Sequence, residues 1–253
     1  MSSLDLLWCS PPADVALPFD EVHVWRAKLD HPDRLLDKLS SVLSPDEKER
    51  ANRFQYDRDK RRFIASRAIL RIILSRYSGV NARRLDFEYG THGKPSLKRR
   101  TDIMIPLCFS SSRSHNLSLF AVTLNQEIGI DTEYIRPVSY RDEIVNRYFT
   151  TGERIIYSRL APDQKQPAFF NGWTRKEAYL KAIGVGLNQP LRTVEVSLEP
   201  GEPARLLRVE GNARQAAAWS FYELSLGTDY AGVVAIKGSY GFRLWKWEQA
   251  DKN

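Results

Sequence analysis

The sequence predicts an α+β protein of two similar, pseudo-symmetric halves, each with helices packed on a small, mainly antiparallel sheet. Three observations carry this. Helix-type and strand-type patterning recur as two successive helix-then-strands blocks of similar length, split near residue 125. The 253 residues suit one large domain or two modest ones, at ~100–200 residues per domain. Hydrophobic residues at 42% and charged residues at 27% are ordinary globular values, which allow a normal core and exclude a wholly disordered chain. No low-complexity linker separates the blocks, so close packing is expected. The likeness lies in element order, with no motif repeated residue by residue.

Residues 1–20, with Pro11, Pro12 and Pro18, form an irregular lead-in. The first half then spans 21–125, the second, with the expected metal site, 126–240, and a tail 241–253. A strand is expected at 21–28, with Val22, Val24 and Arg26 alternating against Glu21, His23 and Trp25. Ser44-Pro45-Asp46-Glu47 is a helix start: Ser44 as cap, Pro45 in the first turn, Glu47 completing a capping box. The next helix, about 59–77, buries Ile64, Ala68 and Ile72 and gathers Lys60, Arg67 and Arg71 on another face. Strands follow at about 84–89, 105–109, 116–124 and 128–133. Helices come at about 139–148, 152–160 and 166–183, the last ended by Gly184. Strands resume at about 191–198, 217–225 and 230–237, with Gly227 turning the last pair. Phe242–Trp247 in the tail has no assigned role.

The net charge of +7 and pI near 9.4 favour anionic partners: nucleic acid, acidic membrane, nucleotide-like cofactor or acidic protein. Much of the excess lies between Lys48 and Arg84. Two cysteines in unrelated contexts make no disulfide framework. The N-terminus lacks a basic, apolar leader, and no stretch approaches the ~18 apolar residues of a membrane span, so a cytoplasmic protein is expected.

Five segments could carry chemistry. In Ile128-Gly129-Ile130-Asp131-Thr132-Glu133, Asp131 and Glu133 share a strand face ~6.6 Å apart. Neighbouring carboxylates repel unless a cation joins them, and hard oxygen donors suit Mg²⁺. Taken alone, the pair is better explained as a solvated strand end. In Trp173–Leu187, Glu177 and Lys181 share a helix face: a surface ion pair, or a metal ligand beside a phosphate ligand. Tyr89–Pro95 places Lys94 on a Gly-flanked loop that lacks P-loop spacing. Phe109–His115 reads as a tight connection whose hydroxyls and Arg113 could cradle phosphate. Thr150 and Glu153 form a capping box, the better explanation of Glu153 from spacing alone. No serine-hydrolase elbow or zinc spacing is present.

In order and spacing these segments resemble the 4′-phosphopantetheinyl transferases of the surfactin-synthetase-activating type. The resemblance runs from about Ser44 to Leu187 through Gly93-Lys94-Pro95, Phe109–Ser114, the Asp131/Glu133 strand and Trp173–Leu187. It implies two halves with the active site between them. It also implies transfer of the 4′-phosphopantetheine arm of coenzyme A to a serine of an apo acyl or peptidyl carrier protein, releasing adenosine 3′,5′-bisphosphate. Mg²⁺, or Mn²⁺ in its place, is then held by Asp131, Glu133 and Glu177, with Lys181 on the pyrophosphate. Arg50, Arg62, Lys94, Ser112 and Arg113 lie around the nucleotide, and Glu153 or Glu177 is the candidate base. A monomer is implied, acting in fatty-acid, polyketide or nonribosomal-peptide synthesis.

One departure stands out. Such enzymes commonly read Phe-Asn-x-Ser-His-Ser-Gly where this chain has Phe109-Ser110-Ser111-Ser112-Arg113-Ser114-His115. Arg113 keeps a cation, always charged and able to bind phosphate through two N–H groups. His115 replaces the glycine of the turn. Three competing explanations remain at this level, one of them a family member that has lost catalysis and serves as a binding scaffold, against which the intact Asp131, Glu133, Glu177 and Lys181 set argues. A basic nucleic-acid-binding protein without catalysis would show strong salt dependence, although paired carboxylates would repel a phosphate backbone. Another Mg²⁺-dependent phosphotransferase would require ATP.

Overall fold

The computed structural model describes residues 7–98, 106–186 and 190–248. Leu187, which closes the Trp173–Leu187 segment, lies outside them. Chain order runs β1 (Glu21–Lys28), α1 (Asp33–Ser40), α2 (Pro45–Asn52), α3 (Asp57–Ser78), β2 (Phe87–Tyr89), β3 (Pro95–Leu97), β4 (Leu107–Ser114) and β5 (Leu117–Leu124). It continues with β6 (Ile128–Tyr134), α4 (Arg141–Tyr148), α5 (Thr151–Arg159), α6 (Pro162–Ile183), β7 (Val194–Val196) and β8 (Leu206–Val209). It closes with α7 (Ala213–Ala216), β9 (Trp219–Glu223), β10 (Tyr230–Lys237) and β11 (Gly241–Lys246). The α+β class is as expected. Two compact units form: one from residues 1–88, 96–125 and 241–253, the other from 89–95 and 126–240.

In the first unit the sheet order is β11-β1-β5-β4, with β1 parallel to β11 and antiparallel to β5. β1 lies inside the sheet, and both of its faces are covered. The expected one-sided alternation is therefore overridden: Val22, His23, Val24 and Trp25 are all buried. The tail segment at Phe242 is thus a strand of this sheet. α3, 22 residues and ~33 Å long, packs Phe63, Ile64, Ala68, Ile69, Ile73 and Leu74 into the core and stops at Gly79, whose φ is 69°. α1 was not expected. Its Leu36 and Leu39, one turn apart, are buried against the same core.

Glu47 begins as a helix-start residue, accepting the Ser44 N–H at 3.1 Å. It is only 2% exposed, and its carboxylate also takes the guanidiniums of Arg67 and Arg71, the latter at 2.6 Å. Burial alone would raise this carboxyl; the two arginines turn the net shift downward. Arg71 further donates to the carbonyls of Ala82 and Leu85 at 2.9 and 2.8 Å. Two of the three cations expected on one face of α3 are therefore core cross-links.

The segment Phe109–Ser114, expected as a tight connection, is strand β4, paired with β5 from Leu107↔Leu124 to Ser114↔Leu117. Serines have little strand preference of their own, but pairing and burial of Ser110 and Ser112 decide the conformation. The turn falls one residue later. His115 sits at φ 51°, the left-handed region that favours glycine.

In the second unit β6, β10 and β9 form an antiparallel sheet, and β7 pairs with β8. α6 also has 22 residues and is closed by a left-handed glycine, Gly184 at φ 72°. It lies on β6 and β10 through small residues: Ala178 and Ala182 meet Val233 and Ala235. A Cβ on Gly129 would stand 1.9 Å from the Ala178 carbonyl oxygen and 2.5 Å from the Ala182 nitrogen. Only a residue without Cβ lets the two backbones touch there. A second bare position, Gly172, seats the Phe149 ring, 2.6 Å from where its Cβ would be.

Gly129→Ala is expected to push β6 and α6 apart. Backbone on both sides cannot yield cheaply, so a loss of about 3 kcal/mol is anticipated, roughly 6–12 °C in Tm for a chain of this size. Thermal unfolding checks this; a Tm within 2 °C of the parent would refute the close-packing account.

Candidate functional site

Alternation along β6 puts Gly129, Asp131 and Glu133 on one face and Ile128, Ile130 and Thr132 on the other. Gly129 places the first face against α6, so Asp131 and Glu133 point toward the helix that carries Glu177 and Lys181. The solvated-strand-end explanation fails at Asp131, which is 3% exposed. Lys181 Nζ lies 2.6 Å from Asp131 Oδ1. Glu177 is half-buried and its Oε1 is a buried atom with no hydrogen-bond partner. Its carboxyl is pushed up to about 7, first by desolvation and then by Asp131; Lys181 opposes this and Glu133 adds to it.

The site therefore gathers three carboxylates and one ammonium from β6 and α6. A buried carboxylate oxygen without a donor is the kind of group a cation completes, and the all-oxygen set suits a hard divalent ion. Among the described residues, no three metal-ligating side chains stand close enough to hold an ion. The donor chemistry fits Mg²⁺, and Lys181 pairs with Asp131 there.

Several expected site residues are placed differently. Glu153 is fully buried. Its Oε2 takes the Thr150 N–H at 2.7 Å and Lys176 Nζ at 2.8 Å, and its Oε1 takes the Val196 N–H at 2.8 Å. The capping box forms, and the carboxylate also anchors β7 and α6. Both oxygens of Glu153 are thus engaged within the chain. Lys94 donates to Glu127 and to the carbonyls of Ile128 and Ala182, at 3.3 and 3.0 Å. Its three donors tie the 89–95 loop to β6 and the end of α6, where helix carbonyls attract a cation.

Basic residues of the first unit cluster together. Arg62, 8% exposed, forks onto Asp30 at 2.7 and 2.9 Å. Arg50 and Arg113 are exposed and lie over the Phe63 ring at 5.4 and 5.8 Å, with Arg113 also 5.9 Å above Phe54. Desolvation lowers the Arg113 pKa most; Asp59 opposes this, while Arg50 and Arg62 add like-charge repulsion. Ser112, on the neighbouring β4 position, is buried, and its carbonyl accepts Ser118 Oγ at 3.1 Å.

Sequence patterning missed the buried cations of α6. Arg175 donates to Ser197 O at 2.7 Å and Glu223 Oε2 at 3.1 Å, and Lys176 donates to Leu191 O at 2.9 Å. Both precede Glu177 directly and fix the helix that presents it. Their only sequence signal was a run of charges among aromatic residues.

Family models match both parts of the chain: "4'-phosphopantetheinyl transferase, N-terminal" over residues 23–125 and "4'-phosphopantetheinyl transferase superfamily" over 127–235. The chain is 42% identical over 240 residues to 4'-phosphopantetheinyl transferase HetI of Nostoc sp., covering 95% of this chain and 97% of that protein. It is 28% identical over 162 residues to 4'-phosphopantetheinyl transferase Sfp of Bacillus subtilis, covering 64% of this chain and 69% of that one. Among solved structures, Thermotoga maritima holo-[acyl-carrier-protein] synthase aligns with TM-score 0.33 and 19% identity, over 45% of this chain and 63% of that one, too slight a likeness to carry weight. The near-full-length match to HetI, with the two family models end to end, makes this chain a member of the 4′-phosphopantetheinyl transferase family.

Proposed function

We propose that this chain transfers the 4′-phosphopantetheine arm of coenzyme A to a serine of an apo carrier protein, with Mg²⁺ held by Asp131, Glu133 and Glu177. The observation that carries the metal assignment is the buried, partnerless Glu177 Oε1 beside two further carboxylates. In the reaction, the serine oxygen bonds to the β-phosphorus and the P–O bond to adenosine 3′,5′-bisphosphate breaks. The bisphosphate leaves with the bridging oxygen and its electron pair, and the serine proton passes to a base. Mg²⁺ would neutralise phosphate charge and orient the pyrophosphate.

The remaining roles fall to side chains of this chain. Glu177 is the base we favour. The Glu153 oxygens each accept a bond within the chain, whereas Glu177 Oε1 has no hydrogen-bond partner. Lys181 is assigned to the pyrophosphate. Arg50 and Arg113, exposed on their aromatic shelf, are the phosphate-facing cations of the nucleotide end, with Arg62 contributing field from behind because Asp30 already takes its fork. Ser112 and Lys94 are assigned to the nucleotide by the family resemblance, although the Lys94 ammonium donates within the chain. The basic net charge would speed encounter with an acidic carrier protein.

Intact-mass spectrometry of an apo acyl carrier protein incubated with coenzyme A and Mg²⁺ tests the reaction. A gain of one phosphopantetheine arm, lost with EDTA, is expected; no gain across several carrier proteins would overturn it. Asp131→Ala and Glu177→Ala should each abolish that gain, by at least about a hundredfold in rate, while circular dichroism stays unchanged. Near-parental rates would remove that residue from the site.

Arg113→Ala should weaken coenzyme A binding about tenfold, at the scale of one charge-assisted contact. Calorimetry with an unchanged Kd would show that Arg113 does not face the nucleotide.

Metal affinity should depend on pH with a definite sign. Protons compete with Mg²⁺ for Glu177, whose carboxyl titrates near 7, so affinity rises as pH increases through that value. Between pH 6 and 8 the ionised fraction, and hence the affinity, should rise about tenfold. A flat titration across that range would place Glu177 away from the metal.

A further inference from the structure

We propose that Trp25, Tyr77, His23 and Glu21 form a directed hydrogen-bond relay that closes only around an uncharged His23, so that the first unit carries an acid-sensitive lock. The inference stands apart from the metal and coenzyme assignments.

The relay ties the last turn of α3 to β1, a central strand of the first sheet. Trp25 and His23 are both buried. Trp25 Nε1 donates to the Tyr77 hydroxyl oxygen at 2.8 Å, and His23 Nδ1 stands 2.9 Å from the same oxygen. His23 Nε2 lies 3.3 Å from Glu21 Oε2. Donor and acceptor capacities fix the hydrogens. An indole N–H only donates, so Tyr77 accepts there and gives its own hydrogen to Nδ1. The ring proton of His23 then sits on Nε2, facing a carboxylate that only accepts. The Tyr77 and Trp245 rings enclose the imidazole, with centroids 5.7 and 5.8 Å from its own.

A second proton on the ring breaks this order. Nδ1–H would point at an oxygen that already takes the Trp25 N–H, and the phenol hydrogen would lose its acceptor. A buried polar group left without a partner is costly. The charged groups around the relay come from three elements. On β1, Glu21 favours the imidazolium. On β11, Arg243 opposes it and also draws on the Glu21 carboxylate, at 3.4 and 3.5 Å. On α3, burial raises the Tyr77 pKa and keeps it a phenol, and Arg76 lies over the Trp25 ring at 5.2 Å. β5 faces His23 across the ladder with Val122, which is uncharged. Desolvation is the largest influence on His23 and lowers its pKa against the pull of Glu21.

An imidazole whose pKa is lower in the folded chain than in the unfolded one takes its proton more readily on unfolding. The contribution of the lock is therefore complete above the unfolded value of about 6.5 and is lost as pH falls below it. What acid releases is the tie between α3 and the sheet.

Nitrogen-15 NMR of the histidine rings, on the full chain from pH 8 down to pH 6, reads the relay directly. His23 should hold one proton, on Nε2, throughout; a proton on Nδ1, or a predominant imidazolium at pH 6, would overturn the inference. Urea unfolding at pH 8 and pH 5.5 reads the lock, comparing the parent with His23→Gln, which can accept from Tyr77 and donate to Glu21 without titrating. Over that interval the unfolding equilibrium constant of the parent should rise about tenfold more than that of the variant. An equal rise in both would overturn the lock. Should His23→Gln fail to fold, His23→Asn takes its place, and the ring-nitrogen measurement needs no variant.

Discussion

β6 and α6 meet at Gly129 with no side chain between them, and the arrangement of the second unit follows from that contact. The strand can lie this near the helix only because Gly129 has no Cβ and because the facing positions, Ala178, Ala182 and Ala235, are small. Period-2 alternation then carries Asp131 and Glu133 onto the same face, over Glu177 and Lys181. Small-residue packing and a cluster of acids are two consequences of one geometric constraint. The acids are costly there, as the raised Glu177 carboxyl shows, and the local ammonium offsets part of that cost.

Charge elsewhere is used in two ways. Some ionic groups are interior cross-links: Glu47 with Arg67 and Arg71, and Glu153 with Lys176. Each joins elements far apart in sequence, and each carries further hydrogen bonds that satisfy the buried heads, the condition under which buried ions are tolerated. Others remain at the surface on aromatic supports, as Arg50 and Arg113 do over Phe63. The formal charge of +7 therefore overstates what a ligand can meet, and the arginine-rich stretch that suggested nucleic acid is in part a core feature.

Legibility in the sequence followed locality. The start of α2, the Thr150–Glu153 box and the glycine stop of α6 depend on residues within a turn of one another, and all were readable. β4 was misread as a connection because its serines carry no strand preference and only pairing with β5 makes them a strand. β11 was left as a tail because its partner β1 is more than 200 residues away. α1 has eight residues and too short a period to stand out.

The sequence by itself determined the α+β class, the family resemblance and the residues worth examining: Asp131, Glu133, Glu177 and Lys181 on one side, Arg50, Arg62 and Arg113 on the other. These rest on motif chemistry and spacing, which survive without coordinates. Only the tertiary structure decided what each group does with its charge. Folding gives Glu153 and Lys94 several partners within the chain, whereas Glu177 Oε1 is buried with none. The physical reason is that a side chain's hydrogen-bond capacity is finite, and partners brought near by folding claim it before any ligand can.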